Sequence, residues 1–232
     1  MAFCDWSSDV CSSDLFPVFA RARENARKSN CLSNLKQLGT GTTMYIQDYD
    51  ETFPIAVYAS SQGVVTFWHL ITPYLKNGGV WKCSSDSTPL TPTQAATAFA
   101  AAGGVAPGIY PASYAPNLWL IEDGPNNPIT GTGSTSYGVV AMAQVPRPAE
   151  TALMFDGAFI VGAGGFAARI LGRHNDLACV TYADGHTKVM KVKLTGVNTT
   201  DIGGNPVKEC IITDTCPYTN RYEPYGIPDF RM

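Results

Sequence analysis

Apolar and aromatic residues fall at Leu15, Val18, Phe19, Ala22, Ala26, Leu35, Leu38, Tyr45, Ile46 and Tyr49, mostly at steps of three, four or seven. That is the spacing of one helix face, and it predicts a helix over residues 15–49. Arg21, Arg23, Glu24, Arg27 and Lys28 occupy the other side. At a rise of 1.5 Å per residue such a helix spans roughly 50 Å, too long to be covered by a compact head of this size. Pro17 is expected in its first turn or at a kink, and Gly39 and Gly41 to weaken its C-terminal part.

The pattern changes after Thr52-Phe53-Pro54, which closes the helix. Residues 66–75 predict a short helix, and the Ala-rich residues 95–102 another. Residues 103–138 are rich in Gly, Pro, Asn and Thr and read as an irregular insertion with one short strand at 118–121. The C-terminal half turns to strands. Residues 151–155 form an apolar run closed by Asp156-Gly157. Residues 177–183 and 186–192 flank Asp184-Gly185, which predicts a hairpin with a type I′ turn. The tail after Gly203 reads as loop.

Composition narrows the class. The chain has 232 residues, 45% hydrophobic and 15% charged, with a net charge of −3. No basic stripe of the kind that binds nucleic acid is present. Residues 1–14, which repeat Ser-Ser-Asp, have neither the basic start nor the apolar run of a signal peptide and read as a non-native or disordered segment. Residues 15–50 then form the helix and 51–232 a β-rich head. Setting Cys4 and Cys11 aside with that segment leaves Cys31, Cys83, Cys179, Cys210 and Cys216. Cys210 and Cys216 enclose a short loop and are the candidate disulfide. No Cys-x-x-Cys spacing offers a zinc ribbon.

The residues then resemble a family. Phe16-Pro17-Val18-Phe19 through Ala26, Asn30-Cys31-Leu32-Ser33-Asn34-Leu35-Lys36-Gln37-Leu38-Gly39, and residues 45–54 are similar to the segment after the membrane part of bacterial prepilin-like proteins. Pro73-Tyr74-Leu75-Lys76, Cys83 with Ser85-Asp86, and Ser113-Tyr114 with Asn117 follow in the same order. His174, Asp184 and Gly185 then match the H-x9-D-G domain of one subgroup with a prepilin-type cleavage/methylation N-terminus. The family's leader, its processing site and most of its apolar helix have no counterpart here.

The resemblance implies an α+β, pilin-like fold: a long N-terminal helix on an antiparallel sheet, with a large irregular insertion. It implies a non-enzymatic structural subunit of a type IV pilin-like or type II secretion pseudopilus-like filament. Its partners would be homologous pilin or pseudopilin subunits, the inner membrane through the missing segment, and prepilin peptidase on the intact precursor. The head would be periplasmic or extracellular, anchored in the bacterial cell envelope.

Other readings remain open at this point. A membrane-anchored module that recognises a glycan or an envelope protein would use Trp68, Trp81, Trp119, Tyr110, Tyr114 and Tyr137 as stacking surfaces, whereas such residues more often pack in the core or against a sheet, the reading favoured here. A metal-dependent hydrolase would gather Asp156, His174, Asp184 and His186 around one ion. The main reading of the motif is structural, with Asp184-Gly185 as a turn and His174 bonded to a nearby loop, and the metal set is the alternative to it. No cofactor is expected, with calcium on Asp201, Glu209 and Asp214 as the alternative. The basic side chains of the helix serve inter-subunit pairing, a solvated face with Glu24 paired to Lys28, or lipid headgroups. Gly162-Ala163-Gly164-Gly165 lacks the Lys-Ser/Thr of a phosphate loop and reads as a hairpin connection.

Overall fold

The computed structural model describes residues 12–100, 103–117, 120–121, 139–162, 165–192, 194–200 and 206–210. One uninterrupted helix, α1 (Ser12–Asp48), is the first element of the described residues. Its 37 residues span about 55 Å. It runs through Pro17, which sits in its second turn and not its first; that near the end of the helix, one lost backbone bond is tolerated.

Two different halves make up α1. Every position from 16 to 23 is exposed, so this part of the helix stands clear of the head. From Cys31 onward one face is buried, through Leu35, Leu38, Tyr45 and Ile46. Gly39 and Gly41 do not break the helix, because they are points of close approach. A Cβ at Gly39 would stand 2.6 Å from Thr181 Oγ1, and one at Gly41 would stand 2.9 Å from Leu75 Cδ2. Hydrogen then lets the helix lie directly on its neighbours, which repays the entropic penalty of glycine within a helix.

Nine strands follow among the described residues. β1 (Val57–Ser60) and β2 (Gly63–Thr66) form a small hairpin. Next come α2 (Phe67–Ile71) and a 3-10 turn over Thr72–Tyr74, close to the expected short helix. α3 (Pro92–Ala98) starts earlier than the Ala-rich run, because Thr91 and Gln94 form a capping box.

The main sheet contains β3 (Tyr114–Pro116), β4 (Ala152–Gly162), β6 (Leu177–Tyr182) and β7 (Thr187–Lys191) in the order β3-β4-β6-β7, all antiparallel. β5 (Gly165–Ile170) pairs with the far half of β4, with Gly162 opposite Gly165 as a hairpin connection requires. A separate pair, β8 (Leu194–Thr200) and β9 (Pro206–Cys210), replaces part of the expected C-terminal loop. The expected strand at 118–121 is displaced upstream to β3. Leu120 and Ile121 instead donate to Asn117 O in a turn, and Leu118 and Trp119 lie outside the described residues.

β4 also differs from expectation. Asp156-Gly157 does not end the strand, since β4 continues through it to pair with β5. The Asp156 carboxylate is turned to a backbone N–H of β6 and closes no turn of its own chain.

The hydrophobic core lies where α1 meets the sheet and α2. Trp81, Tyr114, Phe53, Phe155, Leu35 and Leu38 are its largest fully buried side chains. The result is an α+β fold of the pilin-like description, a long N-terminal helix packed on antiparallel strands. No helix among the described residues is long and apolar enough to cross a membrane.

Candidate functional site

The H-x9-D-G motif proves to be strand β6 with a turn at each end. Its front turn is tight, because Asn175 and Asp176 both adopt left-handed backbone angles. His174 and Leu177 exchange backbone hydrogen bonds there, and the chain enters β6. At the far end, Gly185 N donates to Tyr182 O, Tyr182 N donates to His186 O, and Gly185 has φ +84°. That is a three-residue hairpin loop with a left-handed glycine, and not the expected two-residue type I′ turn. Asp184 Oδ1 stabilises it by accepting from His186 N at 3.0 Å and meeting His186 Nδ1 at 2.6 Å.

Both ends of the motif are tied to α1. His174 Nδ1 lies 2.7 Å from Glu24 Oε1, and Lys36 Nζ donates to Gly185 O at 2.7 Å. Between these ties, Cys179 Sγ contacts Lys28 O at 3.7 Å, and Thr181 lies under Gly39. The odd-numbered side chains of β6 therefore face the helix. The twelve-residue step from Glu24 to Lys36 covers about 18 Å of helix. A strand with a turn at each end is long enough to span it.

A second tie is covalent. Cys31 on α1 and Cys83 form a disulfide with a Cα–Cα distance of 5.3 Å, closing a sequence separation of 52 residues. Of the expected pair Cys210 and Cys216, the Cys210 side chain and all of Cys216 lie outside the described residues. Asn34 Nδ2 adds a bond to Lys82 O at 3.1 Å beside the bridge.

Under the helix these ties converge on a buried polar cluster. Asp156 is 0% exposed and His174 1%. His174 Nε2 lies 3.5 Å from Asp156 Oδ2 and 3.5 Å from Cys83 Sγ. Asp156 Oδ2 accepts from Cys179 N at 2.7 Å. Arg173 donates to Ser113 O at 2.5 Å and Gly157 O at 2.9 Å, and its guanidinium stands 3.0 Å from Asp86 Oδ2. The Asp86 contact is an ion pair off the hydrogen-bond line. Asp156 Oδ1, 3.9 Å from Arg173, has no hydrogen-bond partner at all.

Electrostatics follow from burial. Removal from water pushes the Asp156 carboxyl above its ordinary range, against the pull of Arg173, the Cys179 N–H and His174. Burial likewise pushes the Cys179 thiol up, and the Asp156 carboxylate beside it adds to the effect. Burial would raise Glu24 too, but hydrogen bonds from Ser85 and His174 outweigh it and hold that carboxyl below its usual value. Glu24 accepts from Ser85 Oγ at 2.7 Å and lies 3.6 Å from Arg27. It does not pair with Lys28, whose Nζ goes to Asn25 Oδ1, because the head claims the carboxylate.

The four-residue metal set is not assembled. Asp156 and His174 meet, but Asp184 and His186 stand together beyond the other end of β6, both exposed. Among the described residues, the His, Cys, Asp and Glu groups close enough to share an ion are Cys31-Cys83-His174 and Asp156-His174-Cys179. The intervening strand holds the two halves of the proposed set apart. Asp201 and Asp214 lie outside the described residues, as does the Glu209 side chain.

The aromatic stacking surface is also reduced. Trp68, Trp81 and Tyr114 are buried in the core, whereas Tyr110 is exposed. Trp119 and Tyr137 lie outside the described residues.

Sequence reading did not single out Glu24, Cys31, Cys83, Asp86, Arg173 or Cys179 as one site. Arg173 adjoining His174, and Ser85-Asp86 following Cys83, were the available signals. No curated protein and no solved structure matches the chain. Residues 20–158 match the family described as "Protein of unknown function (DUF1559)", a stretch that carries α1 from Ala20 onward and Cys83 through Asp156 but stops before His174. Because that match covers more than half of the sequence, the chain belongs to this family of proteins of unknown function.

Proposed function

We propose that this protein is a structural subunit of a type IV pilin-like or type II secretion pseudopilus-like filament. It works by assembly and not by catalysis. In this reading a segment upstream of α1 anchors the precursor in the inner membrane, prepilin peptidase processes it, and the head faces the periplasm or the exterior. The partners are homologous subunits.

The observation that carries the reading is the bare half of α1. Phe16, Val18 and Phe19 are 70%, 61% and 64% exposed on a helix that continues unbroken into the head. Large apolar side chains in such a row lose free energy to water until something covers them, by about 25 cal/mol per Å² of apolar surface. Helix-to-helix packing between copies covers them, and a repeated head-to-tail contact grows into a filament. The Cys31–Cys83 disulfide adds support, because such bridges persist in oxidising compartments.

The test is a photoreactive residue replacing Phe19 in the intact precursor, expressed in cells that process it. Illumination is expected to give a ladder of same-chain oligomers. Crosslinks confined to lipid or to unrelated proteins would refute the assignment.

A further inference from the structure

The buried cluster beneath α1 has the makings of a metal site that its oxidation state hides. We infer that the dithiol form of this protein binds a borderline-soft divalent cation, Zn²⁺ being the type, through Cys31, Cys83 and His174 Nε2, with Asp156 beside that imidazole as a further donor. The donor atoms of Cys31, Cys83 and His174 already lie within 4.8 Å of one another. Asp156 Oδ2 is 3.5 Å from the same Nε2.

Three further observations point to an ion. First, Glu24 fixes the imidazole. Glu24 Oε1 stands 2.7 Å from Nδ1, which turns Nε2 toward the sulfur of Cys83 and the carboxylate of Asp156, 3.5 Å away in each case. A carboxylate behind a histidine is the outer arrangement that orients metal-bound imidazoles. Second, the same imidazole belongs to another cluster of ligand-type groups, Asp156, His174 and Cys179, whose donor atoms lie within 4.8 Å of one another. Third, Asp156 Oδ1 is fully buried and without a hydrogen-bond partner. Arg173 attends that oxygen from 3.9 Å and leaves Oδ2 to the cluster.

The donor set selects the ion. Two thiolates, an imidazole and a carboxylate suit Zn²⁺ or a similar tetrahedral ion and not Ca²⁺ or Mg²⁺, which take oxygen ligands. Disulfide and metal exclude each other, because joined sulfurs offer no thiolate. Opening the bridge takes two electrons and two protons from a dithiol reductant, which leaves as its own disulfide. Binding then releases the two thiol protons as two sulfur–metal bonds form. The same two sulfurs thus fasten α1 to the head either directly or through an ion. The inference stands independently of the filament assignment.

The experiment uses the full chain, reduced with a phosphine, desalted without oxygen and titrated with Co²⁺ and then Zn²⁺. Thiolate-to-cobalt charge-transfer and tetrahedral d–d absorption are expected to saturate near one ion per chain, with about two protons released, and to bleach on adding Zn²⁺. The oxidised chain should give no such bands. Cys83→Ser and His174→Ala should abolish them. Glu24→Gln, a milder change should His174→Ala fail to fold, should keep the bands while weakening affinity by about 10–100-fold. Absent bands in a reduced chain overturn the inference, whether that chain stays folded or unfolds without rescue by Zn²⁺. Bands undiminished in Cys31→Ser/Cys83→Ser overturn it too, by placing the ion on other thiols.

Discussion

Glu24 is the residue on which the contact between helix and head turns. A glutamate on an exposed helix face ordinarily serves solubility and pairs with a lysine four residues on. Here the head supplies Ser85 and His174 instead, and the carboxyl titrates below its ordinary value of 4.5. The sign of the linkage follows. A group whose folded pKa is depressed contributes stability that is present above the unfolded pKa and is lost as pH falls through the folded one. Urea unfolding of the wild-type chain is therefore expected to show a loss of stability as pH drops below about 4.5, and Glu24→Gln should flatten that part of the profile. An identical acid limb in the variant would mean that the pair carries no linkage. Asp156 has the opposite sign: its raised carboxyl is easiest to bury when protonated, so its contribution falls as pH rises through its folded pKa. Glu24 at an exposed helical spacing gave no sign of this role in the sequence. It appeared once β6 had brought His174 beneath it.

At the level of elements, α1 is held to the head at three kinds of fastening: hydrogen bonds at the two ends of H-x9-D-G, the contact of Gly39 with β6, and the disulfide to Cys83. The nine-residue spacing sets the distance between the two hydrogen-bonded ends, since a strand has a fixed rise per residue. Part of this was legible. The apolar runs on either side of Asp184-Gly185 gave the hairpin, with β6 and β7 within a residue or two of their expected bounds. The turn type was not legible, because Asp-Gly serves two-residue and three-residue loops alike and register decides between them. Nor was the cysteine pairing, since Cys31 and Cys83 are 52 residues apart and meet through tertiary structure. Closing a loop of that length is worth about 4 kcal/mol in the chain-entropy account. The double variant Cys31→Ser/Cys83→Ser is expected to lose roughly that amount in urea unfolding. A loss below about 1 kcal/mol would show the bridge to be dispensable for stability.

The whole molecule is a head with a helix that outruns it. Residues 16–23 have helical hydrogen bonds but no packing, while residues from Cys31 to Ile46 are anchored in the core. Local stability should differ accordingly, because a short unpacked helical stretch is marginal in water. Hydrogen exchange read by mass spectrometry is expected to show fast exchange at 16–23 and slow exchange at 31–46 in the monomer. Assembly into filaments should slow the first segment as neighbouring copies cover it. Unchanged exchange at 16–23 in assembled material would place the contact elsewhere.

The sequence alone determined the helix, its length relative to the head and the β6–β7 hairpin, because period and turn chemistry are local properties. It also favoured core packing for Trp68, Trp81 and Tyr114, and these are core residues here. Tertiary structure decided what the polar residues do. It split the Asp156, His174, Asp184 and His186 set across the two ends of one strand, carried β4 through Asp156-Gly157, and joined Glu24, Cys31, Cys83, Arg173 and Cys179 from distant parts of the chain. The reason is physical: apolar burial repeats with the period of a single element, whereas a hydrogen bond, an ion pair or a disulfide is short-ranged and depends on which elements lie side by side.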